Sequence, residues 1–350
     1  MRNKILIILA ILFFAVITIF AKPYFLQNSK SIEKNIVNEN VENNEITETK
    51  EESIVVELPE KEDTHISLSV IGDIMCHNSQ YIDAYVSNSD TYDFSYVFEN
   101  IKEPISEADI AIGNLETTFA GKARGYSNYP QFNTPEQLAT NLRDFGIDIL
   151  TTANNHCMDT GYSGLESTLN YLDEAGIAHT GTNRSTEEQN TILVKEVNDI
   201  KIAFLSFTYG TNGIAIPSDK TYAVNLIDED FIKQQLELAK TQNPDLICVS
   251  MHWGIEYETL QNATQENLAN FLFQNGVDII LGSHPHVLQP MEKRSVVLDD
   301  GTQKECFVIY SLGNFMSGQT QKGTRSSIIL KLGIDKNGYS GKTTISEFYS

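Results

Sequence analysis

The chain has 350 residues and a formal net charge of −22, from 47 acidic and 25 basic side chains. This balance argues against binding nucleic acid through its phosphates, which requires a basic face. The four cysteines lack the spacing of a zinc ribbon or a CxxC motif, so a thiolate-rich structural zinc site is not indicated. The length allows one large domain or two ordinary ones.

Residues 1–24 predict an N-terminal membrane anchor. Arg2 and Lys4 precede an unbroken apolar run from Ile5 to Ala21, near the lower limit of ~17–25 residues for a transmembrane helix. Positive charge before the run and acidic residues after it predict a cytoplasmic N-terminus. The protein would then cross the cell membrane once, with its C-terminal domain outside the cell. A cleaved signal peptide is the alternative, although Ile19-Phe20-Ala21 is a mediocre cleavage site.

Residues 25–64 predict a disordered linker. From residue 31 onward this segment holds eleven Asp or Glu, three Lys and many Asn. Such a composition cannot bury enough apolar area to offset the entropy cost of ordering the chain. The linker would hold the following domain, residues 65–350, away from the membrane.

The domain starts with a strand predicted at His65–Met75, and its first half alternates helices and strands. These are a helix at Phe94–Ala108, a strand at Asp109–Gly113, a helix starting at Thr134-Pro135-Glu136 and ending at Gly146, a strand at Ile147–Thr152, a helix at Ser163–Ala175 and a strand carrying His179. Two strands follow around an Asn198-Asp199 turn. The alternation then resumes with helix Glu229–Lys240, strand Asp245–Met251, helix Thr264–Asn275 and strand Val277–Gly282. The pattern predicts an α/β fold with two packed sheets flanked by helices.

Three segments repeat one pattern, a helix followed by a buried parallel strand and then histidine. They are FGIDILTTANNH, NPDLICVSMHWG and NGVDIILGSHPH. Just past these strands stand Asn155-His156, His252, and the pair His284 and His286. Open α/β sheets bind ligands outside the carboxyl ends of their strands. The repeated pattern therefore predicts that these side chains meet at one site.

Two carboxylates extend the pattern, because Asp73 follows the first strand and Glu116 follows the second. A single strand-end histidine is more often a hydrogen-bonded polar residue than a metal ligand. The ordered set of carboxylate, amide and imidazole groups, each after a strand, is what indicates a metal site. Mixed oxygen and nitrogen ligands suit divalent Mn, Fe or Zn, and a carboxylate bridging two such ions would make a hydrolytic centre.

The segments GSHPH, ANNH, HWGIEY and YSLGNF resemble the CapA family, which is linked to bacterial capsule and poly-γ-glutamate synthesis. The resemblance covers roughly residues 66–330. A membrane anchor followed by a domain outside the cell also fits the family. The family is similar in fold to the calcineurin-like metallophosphoesterases. The resemblance therefore implies a four-layer αββα sandwich.

The resemblance also implies roles for individual residues. His156 would protonate the leaving group as the catalytic residue. The metal ligands would be Asp73, Glu116 in the bridging position, Asn155, His252, His284 and His286. The chain departs from the metallophosphoesterase pattern at three places, with Met75 two positions after Asp73, GNLE at the bridging position, and Asn154 before Asn155.

Several further residues stay open as site candidates. His77 would supply the imidazole missing at Met75, Glu256 would orient His252 or bind substrate, and Asn314 would line the rim. Each also has an ordinary structural explanation as a loop or turn residue. Cys76 and Cys157 would pair, act as soft ligands, or simply pack in the core.

Three functions remain in competition. The first is a metal-dependent hydrolase or transferase outside the membrane, acting on a phosphoester or on a bond of an anionic polymer. The second is a non-catalytic component that binds polymer or membrane-bound capsule and polyglutamate synthase subunits. The third is a secreted phosphatase or nucleotidase unrelated to capsule.

Overall fold

The computed structural model describes residues 62–349. The predicted anchor lies outside these residues, as does the predicted linker up to Lys61. Among the described residues, no helix combines the length and apolar character that crossing a membrane requires.

The strands and helices follow one another along these residues in mixed order. The strands are β1 (Thr64–Ile74), β2 (Tyr85–Val86), β3 (Thr91–Tyr92), β4 (Ile110–Leu115), β5 (Ile149–Thr151), β6 (Ala178–Thr180), β7 (Leu193–Val197), β8 (Ile200–Thr208), β9 (Leu246–His252), β10 (Ile279–Ser283), β11 (Met291–Val297), β12 (Gln303–Ile309), β13 (Asn314–Met316), β14 (Leu330–Lys336) and β15 (Thr343–Tyr349). The helices are α1 (Asn78–Asp83), α2 (Ser95–Phe98), α3 (Lys102–Ser106), α4 (Gln137–Phe145), α5 (Gly161–Ala175), α6 (Thr186–Gln189), α7 (Glu229–Thr241) and α8 (Ala263–Gln274).

Two mixed sheets form the centre of the domain. The first has the order β15-β14-β1-β4-β5-β6, with β13 also pairing with β1, and the second has the order β11-β12-β10-β9-β8-β7. Strands β1, β4, β5 and β6 run parallel, as do β8, β9, β10 and β12. The parallel strands therefore lie at the centres of the sheets, except that β6 ends the first sheet, and the hairpins occupy the other three edges.

Three apolar clusters hold the layers together. One joins side chains of both sheets, such as Leu68 with Phe204 and Phe307. A second lies between the first sheet and helices α2 to α5, and a third lies between the second sheet and helices α7 and α8. The order of layers is thus helices, sheet, sheet, helices. This order agrees with the predicted sandwich.

Local signals explain where several elements begin and end. Gly146 and Gly176 follow α4 and α5 with φ of 114° and 74°, a left-handed conformation that glycine adopts without strain. Asn198 and Asp199 both have positive φ in the turn between β7 and β8, as a two-residue hairpin requires. These predicted boundaries are confirmed.

Two predicted helix boundaries are wrong. The helix predicted at 94–108 is divided into α2 and α3, because Pro104 lacks the N–H and clashes with the preceding turn, so a helix must restart just before it. The predicted cap Thr134 does not cap α4. Its hydroxyl instead lies 2.6 Å from the Thr117 hydroxyl, and α4 begins at Gln137.

The cysteines are all free and buried, so the predicted alternative of a disulfide between Cys76 and Cys157 is wrong. Burial raises the pKa of both thiols to about 12. A thiol with such a pKa stays protonated near neutral pH, and the thiolate is the form that binds metal. Packing in the core is the interpretation that the structure supports.

Glycine stands before the site at two strand ends because the neighbouring backbone leaves no room for a side chain. A Cβ atom at Gly282 would lie 2.0 Å from the Tyr310 carbonyl oxygen. A Cβ atom at Gly72 would lie 1.9 Å from the Gly313 carbonyl oxygen. Both contacts are with backbone, which cannot turn aside as a flexible side chain would.

We expect the Gly282→Ala substitution to destabilise the domain by at least about 2 kcal/mol, since overpacking here must displace β12 from β10. Gly210→Ala is the matched control, because a Cβ atom there would meet nothing within 4 Å, and its effect should stay within about 0.5 kcal/mol. Urea unfolding measures both free energies. Equal stability of the two variants would contradict the packing argument.

Candidate metal centre

The carboxyl ends of five parallel strands meet at one place between the two sheets. From the first sheet, β1 carries Asp73, while Glu116 and Asn155 follow β4 and β5. From the second sheet, His252 ends β9, and His284 and His286 follow β10. All these residues are buried. The structure therefore brings together the six predicted ligands, and their role as ligands stays a prediction.

Glu116 lies at the centre of this cluster. Its Oε1 atom is 3.6 Å from His252 Nε2 and 3.7 Å from His286 Nε2. Within residues 62–349, ligand atoms lie within 4.8 Å of one another in three groups, which are Glu116 with His252 and His284, Asp73 with Glu116 and His286, and Glu256 with His284 and His286. Glu116 belongs to two of these groups, as a carboxylate bridging two ions would.

Several buried polar atoms of this cluster lack a hydrogen-bond partner. They are Glu116 Oε1, His252 Nδ1 and His284 Nδ1. An unsatisfied buried polar group costs about 1–3 kcal/mol, so three in one cluster call for an explanation. A bound cation would satisfy such atoms, and carboxylate oxygens with imidazole nitrogens suit Mn, Fe or Zn. The residues present thus fit the metal that the sequence predicts.

The electrostatics of the cluster agree with this interpretation. Burial and the neighbouring Asp73 raise the pKa of Glu116 well above its usual range. Burial and the nearby His284 hold the pKa of His252 well below its usual range, and burial with His286 lowers the pKa of His284 to about 3. His252 and His284 are therefore neutral at physiological pH, which is the protonation state that binds a metal.

The GSHPH segment is held in an unusual backbone conformation. His284 and His286 have φ of 98° and 60°, which costs non-glycine residues on the order of 1–3 kcal/mol each. The segment is fastened at both sides, since the Tyr257 N–H donates to the Pro285 carbonyl at 2.8 Å and His286 Nδ1 lies 3.0 Å from Asp73 Oδ2. Backbone strain of this kind clusters at functional sites.

A histidine–aspartate pair lies beside the ligand cluster. His156 Nδ1 is 2.7 Å from Asp159 Oδ2, and both side chains are buried. The same Oδ2 atom accepts the Phe132 N–H at 2.7 Å, which fixes the carboxyl group. Because Nδ1 faces Asp159, the Nε2 atom of His156 is the one left for a substrate. Nε2 lies 3.5 Å from Asn212 Nδ2.

Asn155 joins this pair to the ligand cluster. Its Oδ1 atom lies 2.9 Å from His252 Nε2, and its Nδ2 atom donates to Asn212 Oδ1 at 3.2 Å. The amide is thus oriented with its oxygen toward the predicted metal position. This orientation is the one that an amide ligand requires.

The three additional candidates have different surroundings. His77 is outside the three ligand groups found among residues 62–349, and its Nδ1 accepts the Gly318 N–H at 3.0 Å. Glu256 is exposed and belongs to the group with His284 and His286. Asn314 pairs with Asp73 across β13 and β1, and its buried Oδ1 atom lacks a partner.

Sequence reasoning missed residues that position the site. Asn114 Nδ2 donates to Asp73 Oδ1 at 2.8 Å and is 3.5 Å from Glu116 Oε2. The Tyr209 ring lies 4.7 Å from the His284 ring and stacks on His252 at 6.2 Å. Asp159 had a detectable signal, the i, i+3 spacing after His156. Tyr209 follows β8 as the histidines follow their strands, which was also detectable.

The fold has counterparts among solved structures. A putative 5′-nucleotidase from Staphylococcus aureus aligns with a TM-score of 0.50 and 16% identity, over 81% of this chain and 53% of that one. The chain therefore spans about half of the length of that structure, and the likeness concerns the fold alone. Fold and site together define a two-sheet α/β protein that is similar in fold to this 5′-nucleotidase and carries a candidate metal centre.

The family follows from the sequence comparisons. The model of the bacterial capsule synthesis protein PGA_cap matches residues 67–319. The capsule biosynthesis protein CapA of Bacillus anthracis is 27% identical over 81% of this chain and 67% of its own length. The PGA biosynthesis protein CapA of Bacillus subtilis is 32% identical over 79% and 70%, respectively. The chain belongs to this bacterial capsule synthesis family, as its motifs predicted.

Proposed function

We propose that this protein is a metal-dependent hydrolase of capsule polymer synthesis, anchored in the cell membrane with its domain outside the cell. The observation that carries the proposal is Glu116. Its buried Oε1 atom has no hydrogen-bond partner and faces His252 and His286 at 3.6 and 3.7 Å. Such a carboxylate is unfavourable alone and favourable beside a cation.

The proposed ligands divide into two overlapping sets around Glu116. Asp73 and His286 would hold one ion with Glu116, while Asn155, His252 and His284 would hold the other. When bound, such divalent ions would activate water near neutral pH and polarise the bond to be cleaved. Asn114 would hold the two carboxylates in place, since its amide N–H groups face both.

His156 would hold the proton for the leaving atom. Its Nδ1 faces Asp159 at 2.7 Å, which leaves Nε2, beside Asn212, as the atom that would reach the leaving atom, as a general acid must. Asp159 is itself fixed by the Phe132 N–H. The pair therefore needs no rearrangement before proton transfer.

The substrate class and partners are inferred from the family. Relatives carry names of capsule and PGA biosynthesis proteins, which favours a bond in an anionic polymer or its precursor, with a phosphoester as the alternative suggested by the fold. Membrane-bound synthase subunits would be the partners. A secreted phosphatase unrelated to capsule is the weaker proposal, because the chain belongs to the capsule family.

Metal analysis of the purified full-length chain tests the proposal. We expect one or two equivalents of Mn, Fe or Zn in the wild type and loss of the metal in the His284→Ala/His286→Ala variant. His65→Ala is the matched control, because His65 is exposed and pairs with Asp335. Equal metal content in all three proteins, or none after loading, would contradict the assignment of the centre.

A second candidate function is a non-catalytic component of a polymer synthase complex. One observation favours it, namely that buried Met75 stands where metallophosphoesterases usually carry a histidine, while His77 is bonded to Gly318 instead. The Asp73 ion would then have a weak ligand set. Recovery of membrane partners by the wild type and by the His284→Ala/His286→Ala variant in equal amounts, with no turnover in either, would support this candidate.

A further inference from the structure

A large cavity opens beside the candidate metal centre. Its volume is about 1090 Å³, slightly above the ~300–1,000 Å³ that is typical of ligand sites. Its walls combine two cations, Arg325 and Lys331, with apolar side chains that include Ile101, Phe315, Ile328 and Ile329. None of the described residues that line it is Asp or Glu. The chain has a net charge of −22, so a cavity whose charged lining residues are all cations is unusual for it.

The two cations are not neutralised by carboxylates in direct contact. Among residues 62–349, Arg143 and Arg184 form ion pairs with Asp148 and Glu188, whereas Arg325, which is exposed, has no carboxylate within ion-pair distance. Lys331 Nζ donates to the Pro104 carbonyl oxygen. Burial lowers the pKa of Lys331, and the nearby Glu107 acts in the opposite direction. An anion in the cavity would favour the charged form of this lysine.

The wall of the cavity is linked to the metal centre by hydrogen bonds and ring contacts. Asn314 lines the cavity and is paired in register with Asp73. Asn314 Nδ2 donates to Gln319 Oε1 at 2.9 Å, and Gln319 Nε2 lies 3.4 Å from the Tyr257 hydroxyl. The Tyr257 ring in turn faces His286 at 6.3 Å. Asn314 thus places one wall of the cavity beside the candidate ligand Asp73, within reach of a chain molecule bound at the centre.

We propose that this cavity is a subsite for a carboxylate-bearing segment of the substrate, with Arg325 and Lys331 binding its carboxylates. The inference rests on the proposed function and adds the substrate chemistry beside the cleaved bond. The apolar walls suit the methylene groups between carboxylates. A phosphate fits less well, because phosphate sites typically present clustered free backbone N–H groups at helix N-termini or nests. Ser79 and Gln80, in the first turn of α1, line the cavity, but their backbone N–H groups already donate to acceptors in the same turn.

Calorimetric titration with pentaglutamate tests the subsite in the full chain carrying His156→Ala, which is expected to slow turnover by about 10²–10⁴-fold. We expect Arg325→Gln to weaken binding by about tenfold or more, a loss of about 1.4 kcal/mol, and Lys331→Gln to act in the same direction. Lys322→Gln is the matched control, because it removes the same charge from an exposed residue outside the cavity, and should change binding by less than about twofold. Pentaglutamine and inorganic phosphate serve as neutral and phosphate probes.

The outcomes separate the subsite from the proposed function. Binding of pentaglutamate that depends on Arg325, without turnover by the wild type, would support the subsite and contradict the proposal of a hydrolase. Turnover by the wild type with equal pentaglutamate affinity in Arg325→Gln and Lys322→Gln would retain the hydrolase and overturn the subsite. Equal binding of pentaglutamine, or Arg325-dependent binding of phosphate alone, would also overturn it.

Discussion

Replacing His156 by alanine is expected to lower kcat by about 10²–10⁴-fold, the usual contribution of a general acid, while the metal content stays that of the wild type. The reason is geometric, since Nδ1 of His156 faces Asp159 and Nε2 is left for the leaving atom. His156 lies outside the ligand groups found among residues 62–349. Its loss should therefore remove proton transfer and leave the ions in place.

Asp159→Asn should produce a smaller loss than His156→Ala and change the pH profile of kcat, because the amide no longer favours the same tautomer of the histidine. The chain offers a matched control in a second histidine–aspartate pair, His179 with Asp173 at 3.2 Å. His179→Ala should leave kcat unchanged. Steady-state turnover together with elemental analysis checks all three variants. Turnover at the wild-type rate in His156→Ala, or a loss of turnover that is explained by a loss of metal, would contradict the role of His156 as general acid.

Glu116→Gln is expected to have opposite effects on the metal-free and metal-loaded protein. With ion at about 100 times its Kd, the wild type should gain about 2.7 kcal/mol, or roughly 5 °C in Tm for a domain of this size. The variant should lose this gain, because the carboxylate shared by two ligand groups is absent. Without metal, the variant should instead become more stable than the wild type as pH rises.

The direction of the pH effect follows from linkage. The pKa of Glu116 is raised in the folded protein from an ordinary value of 4.5, so above about pH 4.5 the unfolded chain releases a proton that the folded chain retains. Wild-type stability therefore falls with rising pH, by at most about 1.4 kcal/mol per pH unit from this group. Glutamine has no such proton, so the advantage of the variant grows from pH 5 to pH 7.5.

Thermal unfolding at these two pH values, with chelator and with metal, measures the effect. Glu196→Gln is the control, because Glu196 is exposed on β7. Its Tm should follow that of the wild type under all four conditions. If Glu116→Gln kept the full metal-induced gain, or lost its advantage at higher pH, Glu116 would not be the central carboxylate of the site.

The sequence alone predicted features that depend on local patterns. β-branched apolar runs after helices predicted the parallel strands, and the residue following each run predicted which side chains meet, because parallel strands place their carboxyl ends at one edge. This pattern predicted that Asp73, Glu116 and His252 lie close together. Glycine and Asn-Asp signals placed the helix ends and the β7–β8 turn for the same reason, since those conformations depend on one or two residues.

Only the tertiary structure decided how distant side chains share the space around these strand ends. It placed Asn114 against both carboxylates. It turned the His77 ring toward the Gly318 N–H, so His77 does not replace the histidine that the motif lacks at Met75. It also assembled the Arg325 cavity from segments far apart in the chain. Contacts of this kind depend on which elements pack together and how closely, and neither is written in the periodicity of a single segment. The sequence by itself determined the residues available to the site, and packing between the two sheets decided the neighbours of each.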